Sequence, residues 1–208
     1  MSILFLELFS YFCGSIPFGL IISKLVKNVD IREHGSHNIG STNVARTLGK
    51  KWGAVVLLLD GFKAVIPLIV TKYVFAESQE MLVLMTFFVV IGHIFPVWLD
   101  FKGGKGIACI LFSYFVLDYR LGFLFLLVWL IIFFVFKISA LSALTAMLLV
   151  AVASYFISLP YFVLSTVLTP IIFYKHKENI KRILSGEELK FKKKIGKFII
   201  WYLLLYLL

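Results

Sequence analysis

The chain has 208 residues, 61% of them hydrophobic and only 15% charged, with a mean hydropathy of +0.99 and a formal net charge of +10. Soluble domains carry about 45–50% apolar and about 25% charged residues, so a water-soluble globule, a disordered chain and a collagen-like chain are all excluded. What remains is an all-α polytopic membrane protein, too short for a second large domain beside its bundle.

A spanning helix needs about 20 mostly apolar residues. Apolar runs fall at 3–26, 52–76, 81–99, 106–118, 121–136, 138–157 and 160–174. Those at 106–118, 121–136 and 160–174 are short, which predicts broken, re-entrant or interfacially extended helices, and the other four are long enough. Seven crossings is the first reading and five the alternative. With the N-terminus outside and the C-terminus in the cytoplasm, the segments 27–51, 100–105, Lys137 and 175–197 face the cytoplasm and hold 17 of the 21 Lys and Arg residues. That bias is what the positive-inside rule expects. Positive charge so placed meets anionic headgroups, so lipids are expected partners and nucleic acid is not.

No basic stretch precedes the first run and no small-residue cleavage site ends it, so no signal peptide is expected. All five prolines (Pro17, Pro67, Pro96, Pro160, Pro170) lie in or beside apolar runs, where neighbouring groups must satisfy the freed carbonyls. Cys13 and Cys109 lie inside such runs and read as small core residues rather than a disulfide. Asp60 and Lys63, three apart in the second run, read as a mutual ion pair facing the bundle. Ser139, Ala140, Ser142, Ala143, Thr145 and Ala146 form a small-residue face suited to close packing. The last segment, from Ile195 onward, is too short to span and reads as an interfacial helix anchored by Trp201, Tyr202 and Tyr206.

Three polar stretches fall on the cytoplasmic side of this topology. The first, DIREHGSHNIGSTNVARTLGKK from Asp30, concentrates Gly35, Ser36, Asn38, Gly40, Ser41, Thr42 and Asn43 ahead of Arg46. Glycines let successive N–H groups cradle an anion, hydroxyls and amides add neutral donors, and Arg46 adds a planar fork for phosphate. A polar turn leading into a helix is the plainer reading, and the density of donors favours a ligand.

The second stretch is FKGGKG, Phe101 to Gly106, just before a helix whose first N–H groups favour an anion. It is not a Walker A loop, because Gly106 stands where Ser or Thr is needed and position 99 is Leu. A flexible turn with positive-inside lysines stays open beside the phosphate reading.

The third stretch is YKHKENIKRILSGEELK, Tyr174 to Lys190. A helix here puts His176 and Lys175 on one face with Asn179, and Gly186 stops it. His34, His37 and His93 rank lower, having neither a second-ligand pattern nor the carboxylates a metal site needs.

Together the three stretches resemble the bacterial acyl-phosphate:glycerol-3-phosphate acyltransferase (PlsY) family, integral membrane enzymes of phospholipid synthesis. The resemblance rests on GSIPFG followed by DIREHGSHNIGSTNVARTLG, on GHIFPVWLDFKGGKGIA (Gly92–Ala108) and on KHKENIKRILSGEELK, in order and in register over about a third of the chain. His37, Ser41 and Asp100 stand where the family usually has Gly, Ala and Lys, and the apolar tail runs past the family's usual end.

The resemblance implies acyl transfer from acyl phosphate to the 1-hydroxyl of glycerol 3-phosphate, giving lysophosphatidic acid and phosphate without a cofactor or metal. It implies a bacterial inner-membrane, multi-pass protein with its active site on the cytoplasmic side. The family domain is expected over 1–194 and an extension over 195–208. Ser36, Arg46, Lys105, His176 and Asn179 become the expected catalytic positions. Gly35, Asn38, Gly40, Thr42, Asn43, Gly103, Gly104, Gly106 and Ser142 become the expected substrate-binding positions.

By the resemblance the Gly103–Gly106 loop is expected to bind glycerol phosphate. Arg46 and Lys105 are expected to hold phosphate groups, the backbone donors around Gly35–Asn43 to receive the acyl phosphate, and Asn179 and Ser36 to orient the hydroxyl or the oxyanion. The proton acceptor is either His176 or a phosphate oxygen of the donor, and the positive surroundings favour the phosphate. An organic-phosphate transporter would instead place its ligands near the midplane between repeats, and no repeat is apparent. The His-x4-Asp dyad of acyl-CoA enzymes is missing after all four histidines. A non-catalytic scaffold would have little use for three donor-rich loops.

Overall fold

The computed structural model describes residues 2–74 and 78–191, so the expected tail helix and the domain boundary at 194 lie outside the described residues. All regular structure among them is helical.

The first apolar run is two helices, α1 (Ile3–Ser15) and α2 (Phe18–Lys27), broken at Ile16–Pro17. Pro17 lacks an N–H, and the Ile16 carbonyl at the break accepts from the Phe18 N–H at 3.1 Å and from Lys63 Nζ at 2.6 Å. After a loop with a short 3-10 turn at Ile31–Glu33 comes α3 (Ser41–Leu48), an amphipathic helix. Then follow α4 (Lys50–Val74), α5 (Gln79–Ile94), α6 (Ile107–Leu117), α7 (Tyr119–Phe136), α8 (Ser139–Tyr155), α9 (Leu159–Lys175) and α10 (Lys177–Leu184).

Each apolar run contains a helix, but their lengths are shared out differently from expectation. Four stretches are long and apolar enough to cross a membrane: 3–27, 50–74, 79–99 and 119–136. The run at 121–136, read as short, is one of them, because Asp118 caps the helix from Tyr119, its carboxylate accepting from the Arg120 N–H at 2.8 Å. The run at 138–157, read as long, yields only the 17 residues of α8, because Ile138 is its cap and Phe156 ends it. With α6 and α9 also short, four stretches among the described residues have spanning length, and the other three apolar helices fall below it.

The bundle packs α1 on α5, α4 on α6, α6 on α7, α7 on α8 and α8 on α9. Its core joins Met85, Val89, Ile110, Tyr114, Phe125, Met147 and Leu168, all fully buried. Gly14 and Gly92 let α1 and α5 touch backbone to backbone. A Cβ on either would stand 2.1 Å from a carbonyl oxygen of the other helix, that of Val89 or of Tyr11. A smaller cluster of Leu20, Ile31, Ile39, Val44, Leu48 and Val56 fastens the loop before α3, and α3 itself, onto α2 and α4.

The expected pair in α4 is formed, with Lys63 Nζ 2.7 Å from Asp60 Oδ1 and both side chains buried. Cys13 and Cys109 are free.

Candidate active site

A cavity of about 290 Å³ opens where α3, α4, α6, α7 and α8 meet the junction of α9 and α10. All five expected catalytic residues line it, together with Asn38, Gly40, Thr42, Asn43 and Gly106. The polar lining comes mostly from loops and helix ends. The apolar lining comes from helix faces: Ala54 and Leu57 of α4, Leu111 of α6, Phe125, Trp129 and Phe133 of α7, and Ala140 and Ala143 of α8.

The first loop is built around Asn43. Its buried amide donates to the carbonyls of Ile31, His34 and Asn38 at 2.8–3.1 Å, and its Oδ1 accepts from the Ser36 N–H at 2.8 Å. Asn38 Oδ1 accepts from the Gly40 N–H, closing the turn that starts α3. Gly35 supports this with φ +60°, its backbone against the Asn43 side chain. Thr42 shares a hydrogen bond with Ser139 at 3.1 Å, tying α3 to the start of α8.

The N-termini of α3, α6 and α8 therefore all reach the cavity, through Ser41 and Thr42, Gly106 to Ala108, and Ser139 and Ala140. Each such terminus carries about half a positive charge.

Arg46 and Lys105 bring the two full charges. Arg46 Nη2 donates to the Leu189 carbonyl at 2.8 Å, and its guanidinium sits 4.8 Å from the centre of the Phe191 ring. Its Nε is buried with no partner among the described residues, a donor open to a ligand. Burial lowers the Arg46 pKa, but a guanidinium keeps its proton at any working pH.

Lys105 Nζ donates to Asn179 Oδ1. Asn179 Nδ2 donates to Glu188 Oε1 at 2.7 Å, and Arg182 Nε donates to Glu188 Oε2 at 2.8 Å. Burial pulls the Lys105 ammonium down to about 8; Glu188 opposes the shift, and Arg182, Arg46 and Lys175 add to it. His176 is buried, and its Nδ1 lies 2.8 Å from the Ile172 carbonyl, which makes Nδ1 the protonated nitrogen. Burial, with Lys105 next in effect, lowers its pKa to about 4. It is a neutral imidazole at physiological pH.

Four expected binding residues do not line the cavity. Besides Gly35 these are Ser142, whose hydroxyl donates to the Ile138 carbonyl at 2.9 Å, and Gly103 and Gly104, whose N–H groups donate to the carbonyls of Ile94 and His93. His37 and Asp100 lie outside the lining, whereas Ser41 is in it.

The lining also includes residues that the sequence ranked low or did not single out. Asp60 of α4 and His93 of α5 are among them, and Glu188 and Phe191 come from the strap after α10. Glu188 lies within the third motif, a carboxylate among basic residues, and that was its one visible signal.

The chain matches the glycerol-3-phosphate acyltransferase family over residues 4–186. It is 42% identical to a glycerol-3-phosphate acyltransferase of Wolbachia sp. subsp. Brugia malayi over 182 residues, 88% of this chain and 95% of that one. It is 40% identical to one of Aquifex aeolicus over 195 residues, covering 92% of this chain and all of the other. The fold is similar to a crystal structure of PlsY (YgiH), an integral membrane glycerol 3-phosphate acyltransferase, in its glycerol 3-phosphate form. The TM-score is 0.87 at 37% identity, with 97% of this chain and 100% of that chain covered. The lysophosphatidic acid form of the same enzyme gives a TM-score of 0.85 at 38% identity, over 92% of this chain and 96% of the other. By sequence over nearly its whole described length and by fold, the chain belongs to the glycerol-3-phosphate acyltransferase family.

Proposed function

We propose that the protein transfers a fatty acyl group from acyl phosphate to the 1-hydroxyl of glycerol 3-phosphate, giving lysophosphatidic acid and inorganic phosphate. One observation carries this reading beyond family membership. Arg46, Lys105 and three helix N-termini converge on a cavity that is also lined by apolar faces of α4, α6, α7 and α8.

The charges match the task. Two phosphate groups bring about −3 to −4 at neutral pH. The two side chains and three helix ends supply about +3.5, and the lining carboxylates Asp60 and Glu188 are each offset by a paired cation, Lys63 and Arg182. The acyl tail is left with the wall of Leu57, Leu111, Trp129 and Phe133.

In the reaction, the glycerol oxygen attacks the acyl carbonyl carbon, the bond from that carbon to the phosphate oxygen breaks, and phosphate departs. The hydroxyl proton passes to a phosphate oxygen of the donor. His176 suits the role of an acceptor that orients the hydroxyl, because a ring with a pKa of about 4 is a weak base and its Nδ1 proton is already committed to Ile172. Lys105 and Arg46 neutralise the phosphates, and Asn179 and Ser36 orient the hydroxyl and the developing oxyanion. Nothing in this sequence of steps calls on a metal or a cofactor.

In the topology we assign, α1 and α2 together, α4, α5, α6, α7, α8 and α9 make seven crossings of the bacterial inner membrane. The N-terminus is outside, and the site and the C-terminus are cytoplasmic. The lysine and arginine bias supports this orientation.

The test is phosphate release from palmitoyl phosphate by the purified protein in detergent, with and without glycerol 3-phosphate, and with palmitoyl-CoA in parallel. Release that needs both substrates, yields lysophosphatidic acid and is lost in Arg46→Ala is the expected result. Activity with the CoA donor alone overturns the donor assignment.

A further inference from the structure

We propose that His93 is a positioning residue for the glycine loop that presents Lys105, a role that rests on the acyltransferase reading above. His93 lies in the last turn of α5, is 4% exposed, and lines the same cavity as Asp60 and Lys105. Its imidazole is confined from two directions.

On one side, Nδ1 lies 3.8 Å from Asp60 Oδ1. Asp60 is itself held by Lys63 at 2.7 Å, and Lys63 is anchored on the Ile16 carbonyl at the break between α1 and α2. On the other side, the Nε2 apex of the ring abuts Gly104. A Cβ on Gly104 would stand 2.0 Å from Nε2, 2.8 Å from Cε1 and 2.9 Å from Cδ2. The backbone repeats the registration, with the Gly104 N–H donating to the His93 carbonyl at 3.0 Å.

Gly104 is the residue before Lys105. The ring therefore sets where the chain stands as it turns toward Asn179, and the bundle sets the ring. A misplacement of about 1 Å at such a support costs up to roughly a hundredfold in rate. Residue 104 must be Gly because the imidazole occupies the space of a side chain there.

Gly103 provides the contrast. Its Cβ would meet the His93 carbonyl at 2.2 Å, Pro96 Cδ at 2.3 Å and the Ile94 carbonyl at 2.9 Å, none of them part of the imidazole. Clashes at 104 are relieved by removing the ring; clashes at 103 are not.

A double-mutant cycle in the purified full-length protein tests this, reading KM for glycerol 3-phosphate separately from kcat and from KM for palmitoyl phosphate. His93→Ala is expected to raise KM for glycerol 3-phosphate several-fold, with KM for palmitoyl phosphate staying within about twofold; a general loss of structure would move both. Gly104→Ala is expected to raise KM for glycerol 3-phosphate about tenfold in the wild-type background and under about threefold in the His93→Ala background. Contacting residues couple over a range of roughly twofold to a hundredfold. Gly103→Ala should be equally damaging in both backgrounds.

If His93→Ala is not monodisperse, His93→Asn removes Nε2 and Cε1, the ring atoms nearest a Cβ at 104, keeps a polar atom toward Asp60, and carries the same expectation in direction. Additive effects of the substitutions at 93 and 104, or equal shifts in both KM values, overturn the proposal. The wild-type protein is assayed first: if its phosphate release does not depend on glycerol 3-phosphate, it is the acyltransferase reading that fails. Dependent release with additive variants refutes the role of His93 alone.

Discussion

Lys105 offers a prediction in which only pH is changed. Its ammonium titrates near 8 because it is largely buried among Arg46, Arg182 and Lys175, with Glu188 as the opposing charge. The direction follows from the charge: the protonated form holds phosphate, so activity is present below this pKa and is lost as pH rises through it. One pH unit above the pKa, about a tenth of the lysine remains charged, so kcat/KM for glycerol 3-phosphate should be about tenfold down at pH 9 and continue to fall with unit slope.

Bound phosphate favours the ammonium by about 1–4 kcal/mol at 4 Å in surroundings between water and a protein surface. The same limb in kcat should therefore lie about one to three pH units higher than in kcat/KM. Lys105→Arg supplies a cation that does not deprotonate. Its plateau should be lower, because a planar fork replaces a point charge, and its basic limb should vanish. The assay is initial-rate phosphate release from pH 6 to 10, corrected for spontaneous hydrolysis of the donor. A limb near pH 8 that survives in Lys105→Arg, or a flat wild-type profile from pH 7 to 10, refutes the reasoning.

Three further outcomes are expected. His176→Asn should lower kcat and keep the acidic limb of the wild type, which we assign to the substrate phosphate with its second ionisation near pH 6; disappearance of that limb would make His176 the base. Ala143→Leu extends a side chain into the apolar wall. Displacing about two methylenes of a long acyl chain costs about 1.6 kcal/mol, so the ratio of kcat/KM for palmitoyl over lauroyl phosphate should fall roughly fifteenfold, and an unchanged ratio would remove α8 from the acyl groove. Lys63→Met leaves the buried Asp60 carboxylate and the Ile16 carbonyl without their cation. A loss of about 3–5 kcal/mol is expected, seen as a fall of about 10 °C or more in Tm in detergent, and Asp60→Asn in the same chain should restore part of it.

The sequence revealed most about the site where residue type and spacing carry chemistry by themselves. Ser36, Arg46, Lys105, His176 and Asn179 come from three separated stretches, and all five meet at one cavity. The lysine and arginine bias, which put all three stretches on one expected side, was the reason to group them. Spacing could not say which polar groups serve the scaffold. Asn43 looks like another ligand donor, yet its amide and carbonyl are engaged by the backbone of its own loop. Ser142 looks like a hydroxyl near the site, yet it bonds back to Ile138 within α8. His93 ranked low for want of a ligand pattern because its neighbours, Asp60 and Gly104, are set by how α4, α5 and a loop pack together. Contacts between elements do not appear in the periodicity of any one of them.

The helix lengths follow from the same demand. The 11 residues of α6 rise about 16 Å, roughly half the hydrocarbon thickness, and those of α8 about 25 Å. A helix of full length would carry its N-terminus past the apolar walls and into the headgroups. The helix dipole would then face water, where it is screened within about a turn. Starting α6 only at Ile107 leaves residues 95–106 to fold back onto the end of α5 through the Gly103 and Gly104 N–H groups, which keeps the backbone of those two residues satisfied while Lys105 and the α6 N-terminus face the cavity. A reaction joining a phosphorylated alcohol to a lipid tail needs positive charge at the depth where the tail's reactive end lies. On the proposed function, the short helices that make a span count ambiguous are what bring that charge to this depth.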